Sequence, residues 1–122
     1  MSPVAQPISV MIVAPPGIWR DALVSLVRAQ ENLALSAVAD NLPAVRAKME
    51  TEPLHVLIAD IVLGESQLAL FTGWLHDAYP GVRSVVAVDM QHQQASSLAA
   101  GAHATLLKGC LDEALLKDAL AA

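Results

Sequence analysis

A single cysteine, Cys110, rules out an internal disulfide framework and any cysteine-built zinc site. A thiol close to an expected helix start can be reactive, but a buried or incidental one is the preferred reading. Basic residues are also few, seven Lys and Arg against twelve Asp and Glu, which gives a formal net charge of -5. Nucleic-acid-binding domains carry a basic patch or stripe. Here Arg20, Arg28, Arg46, Lys48, Arg83, Lys108 and Lys117 are scattered, so direct nucleic-acid binding is not expected. The chain is 55% hydrophobic, yet no apolar run reaches the ~18 residues of a membrane span. The opening MSPVAQPISV lacks a basic n-region and a long apolar h-region, so no secretory signal is read and a cytoplasmic location is expected.

What is present alternates. Ile8 to Val13, ISVMIV, is an almost continuous apolar run of strand length, the pattern of a strand covered on both faces (β1). Ala14-Pro15-Pro16-Gly17 breaks it, and IWRDALVSLVRAQ then sets Trp19, Leu23, Leu26 and Val27 at helical spacing, with Arg20, Asp21 and Arg28 on other faces (α1). Leu33 to Val38 is a second strand (β2), with Asp40 at its end. Asn41 suits the cap of a helix from Leu42 to Thr51 (α2), where Pro43 falls in the first turn. His55 to Ala59 is a third buried-type strand (β3), followed by Asp60 and, at Gly64, the end of the excursion. A helix over Leu68 to Tyr79 (α3) stops at Pro80-Gly81. Arg83 to Val88 (β4), a weak polar helix over Gln93 to Ala100 (α4), Thr105 to Leu107 (β5) and Leu111 to Leu120 (α5) complete the pattern. Strict strand-helix alternation implies a parallel sheet with helices on both faces and right-handed crossovers, a doubly wound α/β fold.

In such sheets ligands bind beyond the carboxyl ends of the strands. That rule selects Ala14 and Pro15 after β1, Asp40 after β2, Asp60 after β3, Val88 and Asp89 after β4, and Lys108 after β5. Asp60 and Lys108 are the one obvious ion pair among them. His55, His76, His92 and His103 show no metal-ligand spacing, and surface or strand-edge positions account for them. Trp19 and Trp74 read as core or partly buried packing, with Trp19 placed to cover the strand-end pocket.

The stretches ISVMIVAPPGIWRDALVSLV, HVLIADIVLG, YPGVRSVVAV and GAHATLLKGC make the chain resemble the receiver domains of two-component response regulators, most closely the NarL/LuxR group. The resemblance covers Ile8 to Leu120. It implies a receiver domain over 8–120 after an N-terminal tail, 1–7, and a CheY-like, flavodoxin-like (βα)5 fold with strand order 2-1-3-4-5. It makes Asp60 the phosphoacceptor position and Lys108 the lysine that pairs with the phosphoryl group. The acidic pair that holds Mg2+ in the family falls on Ala14 and Pro15, which offer no side-chain oxygen. Metal ligands, if any, reduce to Asp60 and the Val62 carbonyl. The family's hydroxyl and aromatic switch positions fall on Val88 and Thr105, neither of which carries the required group. The segment DMQHQQASSLAA is also shorter than the family's usual span, so the β4-α4 loop or α4 itself is expected to be trimmed.

The expectation is a degenerate receiver without enzymatic activity or cofactor, acting through a protein partner or a homodimer built on α1/α5 or α4-β5-α5, or through a small ligand in the vacated pocket. DNA would be reached through a C-terminal helix-turn-helix outside this chain, which is then either a truncated piece or a stand-alone domain. Two alternatives stay open. One is a working phosphoacceptor, modified on Asp60 by a histidine kinase with Mg2+. The other is a flavodoxin-like cofactor binder, disfavoured because Ala14 to Gly17 lacks the clustered N–H donors of a phosphate cradle. For Asp40 and Asp89, relocated metal ligand stands against solvated loop residue or cap.

Overall fold

The computed structural model describes residues 7–121. The tail expected at 1–7 therefore lies outside the described residues apart from Pro7. Five parallel strands form one sheet in the order β2-β1-β3-β4-β5, with β1 Ile8–Val13, β2 Leu33–Ala39, β3 Val56–Asp60, β4 Arg83–Val88 and β5 Ala104–Leu107. This is the expected order.

The apolar runs explain why the sheet is covered twice. Successive side chains of a strand point to opposite faces. Met11, Val13, Leu57, Ala59, Val86 and Val88 thus pack against Val45 and Met49 of α2 (Leu42–Met49) and Leu68, Phe71 and Leu75 of α3 (Glu65–Ala78). Val10, Ile12, Ile58, Val85 and Leu106 take the other face, against Leu23 and Val27 of α1 (Ile18–Arg28) and Leu116 and Ala119 of α5 (Glu113–Ala121). The fifth helix, α4 (Gln91–Ala99), lies beside α3, where the Thr72 hydroxyl donates to the Ala100 carbonyl at 3.1 Å.

Several boundaries carry their chemistry visibly. The Asn41 side chain accepts the Ala44 N–H at 2.9 Å, as a helix cap does. The Gln93 Oε1 accepts from the N–H groups of both Asp89 and Met90, at 2.9 and 3.0 Å, so α4 starts earlier than the expected Gln93 and its loop from β4 is only Asp89 and Met90. Helix α3 also starts early, at Glu65, because Gly64 adopts φ 107°, a conformation that side-chain-bearing residues avoid, and turns the chain directly into the helix. Cys110 is exposed, so it is not the buried thiol that the sequence allowed.

Two of the histidines finish the sheet. His55 and His103 immediately precede β3 and β5, and their Nδ1 atoms accept the N–H groups of Ser9 at 2.9 Å and Ser84 at 3.0 Å. Ser84 is buried, so removing the imidazole strands a donor. His103→Ala is expected to lower stability by about 1 kcal/mol in urea unfolding, against almost no change for His76→Ala on an exposed helix position.

Candidate functional site

The β3 run ends on Asp60, whose residue surface is only 5% exposed. A 3-10 turn over Ile61–Leu63 follows, and the Val62 N–H donates to Asp60 Oδ1 at 3.0 Å, which fixes the carboxylate at the strand end. Lys108 directly follows β5, two strands away. Its side chain crosses the end of β4, over fully buried Val88, and its ammonium pairs with Asp60. The same ammonium lies 3.5 Å from Asp89 Oδ1 and 5.2 Å from the centre of the Trp19 ring. One largely buried cation is thereby held by two carboxylates and an aromatic face.

The other side of the site is organised by a residue that the helical pattern alone left unassigned. Arg20, in the first turn of α1, donates to the Ala14 carbonyl at 3.0 Å and forms an ion pair with Asp40 beyond β2. Side chains of a helix lean toward its N-terminus. After the break at Pro15-Pro16-Gly17, that lean carries the first-turn guanidinium back over the strand ends. The direction of the lean was the available signal. Trp19, beside it, packs on the α1/α5 face of the core, and its Nε1 is buried without a partner.

Of the strand-end positions singled out in the sequence, the structure joins Asp60, Lys108 and Asp89 in one cluster and Asp40 with Ala14 in a second, through Arg20. Ala14 is fully buried and Pro15 exposed. Val88 pairs with Leu107 in the sheet and Thr105 with Val86; the Val88 side chain has no donor, and the hydrogen bond that Asp60 accepts comes from the Val62 N–H. Asp40 and Asp89 are 63% and 57% exposed in their side chains and engage cations.

Mg2+ does not fit this donor set. A hard cation of octahedral preference needs clustered oxygens. Here the only buried carboxylate among the described residues is paired with Lys108, and the Ala14 carbonyl already accepts from Arg20. Among the described residues no three His, Cys, Asp or Glu side chains are grouped to hold a metal ion. Nor is any described helix long and apolar enough to cross a membrane.

No protein-family model matches the chain, and no curated protein matches it in sequence. Solved structures do. The chain is similar to the RcsB response regulator of Salmonella typhimurium, with a TM-score of 0.80 and 16% identity over 96% of this chain and 60% of that one. It is also similar to the signal receiver domain of an HD domain-containing protein from Pseudomonas fluorescens, at 0.76 and 17% over 98% and 91%. A response regulator from Thermotoga maritima gives 0.74 and 18% over 95% and 99%. The chain spans less than two thirds of the length of the longer RcsB chains, one of which is bound to the promoter rprA in the presence of the phosphomimetic BeF3-. At these identities the likeness is one of fold, and the fold is that of response regulator receiver domains.

Proposed function

We propose that the chain is a receiver-type regulatory module of the NarL/LuxR kind, cytoplasmic and without catalytic activity of its own, whose output runs through protein contact and not through phosphorylation of Asp60. The observation that carries this reading is the pairing of the site's charges. Lys108 engages the buried carboxylate of Asp60, Arg20 engages the carbonyl after β1, and Ala14 and Pro15 supply no side-chain oxygen between them. Transfer of a phosphoryl group to a carboxylate depends on electrostatic stabilisation of developing negative charge, which in this fold a metal ion would provide. On this reading, nucleic acid is reached only through an effector domain joined to the module.

The direct test treats the protein with acetyl phosphate, and separately with beryllofluoride, in the presence of Mg2+. Intact mass and backbone amide spectra are expected to remain unchanged. A phosphorylated species that disappears in Asp60→Asn would instead establish the alternative, a working phosphoacceptor served by a histidine kinase.

A further inference from the structure

The net charge is distributed unequally along the strand direction. In a parallel sheet of this topology every helix begins at the end where the strands finish. Asp21, Glu65 and Glu113 occupy first turns of α1, α3 and α5, and Asp112 immediately precedes α5. Asp40, Asp60 and Asp89 finish β2, β3 and β4. Against these seven carboxylates stand three bases: Arg20 and Lys108, folded into ion pairs with side-chain exposures of 18% and 16%, and Lys117, which pairs with Glu113 at 2.9 Å one turn along α5. The remaining bases, Arg28, Arg46, Lys48 and Arg83, lie in the last turns of α1 and α2 and at the start of β4, and nearly balance the five remaining acids. Most of the net charge of -5 therefore sits at the end that carries Asp60.

That same end is apolar at its surface. Large apolar side chains exposed among the described residues are Ile18, Val62, Leu70, Met90 and Leu98. Three of them, Ile18 at 90%, Val62 at 60% and Met90 at 58%, follow β1, β3 and β4, which are neighbours in the sheet. Adjacent strands lie about 4.8 Å apart, so these three strand ends fall within ~10 Å. Exposed Pro15 and Pro16 stand beside Ile18.

We infer that this end of the sheet docks a basic amphipathic helix of a partner protein. Its apolar stripe covers Ile18, Val62 and Met90, and its Lys or Arg side chains meet the exposed carboxylates of Asp21, Asp40, Glu65 and Asp89. Charge complementarity selects this occupant: a second copy of the chain would bring two acidic ends together. The inference rests on the reading above, since it assigns a protein contact to the face that phosphoryl transfer would otherwise use.

The test titrates the isotope-labelled chain with a synthetic amphipathic helix of leucine and lysine, and with a control helix of leucine and glutamate in the same order. Amide shifts are expected with the lysine helix only, concentrated at 15–21, 60–65 and 88–92. The double variant Ile18→Ser/Met90→Ser, altered only at exposed positions, is expected to raise Kd at least about tenfold. Shifts centred elsewhere, an equal response to the glutamate helix, an unchanged Kd in the double variant, or displacement of the helix by self-association would each overturn the inference. Beryllofluoride and Mg2+ added to a parallel sample keep the two ideas apart. Its binding at Asp60 sinks the phosphorylation-independent reading, whereas a silent beryllofluoride experiment with no helix binding sinks the docking alone.

Discussion

Lys108→Ala is expected to cost about 3–5 kcal/mol of folding stability, the range seen when one partner of a buried ion pair is removed and the other charge is left behind. Asp60 is 5% exposed and its carboxylate keeps one backbone donor, the Val62 N–H, which is too little to replace an ammonium. Asp89 is a weaker claimant on the same cation, because its side chain is 57% exposed and water solvates it when Lys108 is gone. The double variant Asp60→Leu/Lys108→Met is therefore expected to recover most of the loss, since it removes both charges and keeps the volume apolar. Urea midpoints for Asp60→Leu, Lys108→Met and their double variant form the needed cycle. A loss below about 1 kcal/mol in Lys108→Ala would mean that the pair is solvated like a surface salt bridge, and the case for a closed, permanently neutralised site would fall with it. Releasing Asp60 in this variant is not expected to create beryllofluoride binding, because Ala14 and Pro15 still provide no metal ligand.

The layered architecture was legible because both faces of the sheet are covered. ISVMIV, HVLIA and RSVVAV are predominantly apolar on both faces for that reason, and Asn41, Pro80 and Gly81 punctuate them with residues whose backbone chemistry is unambiguous. The strand order came from the resemblance, since alternation alone is compatible with more than one doubly wound order. The helix starts after β3 and β4 were less legible: Glu65, Ser66, Gln91 and His92 carry no apolar stripe, and what begins those helices is the Gly64 backbone and the Gln93 side chain folding back. At the site, the strand-end rule found Asp60, Asp89 and Lys108, because those residues follow strands directly. Arg20 escaped it. It belongs to a helix, and only its rotamer direction brings it over the sheet. The two sheet-closing histidines escaped for a related reason: their role depends on which strand lies next to them, which composition and spacing do not contain.

Ile58→Ala is expected to cost about 3 kcal/mol, within the range for a large aliphatic residue truncated in a closed core. Ile58 is 1% exposed, sits in register between Ile12 and Val85 on the sheet, and belongs to the cluster that holds Leu23 and Leu116. Neighbours on two sides are fixed by strand pairing and helices α1 and α5 close the face above, so the cavity has little room to collapse. Ile18→Ser offers the opposite case with the same starting side chain. At 90% exposure it has almost no area to lose, so its urea midpoint is expected to stay within about 0.5 kcal/mol of the parent. The pair of variants separates two uses of isoleucine in one chain: the first is retained by the fold, and the second contributes nothing to it while sitting among carboxylates beside the Asp60 site. If Ile18→Ser instead costs more than about 1 kcal/mol, that side chain is part of the core packing of α1. The docking inference would then lose its central contact, whatever the charges around it.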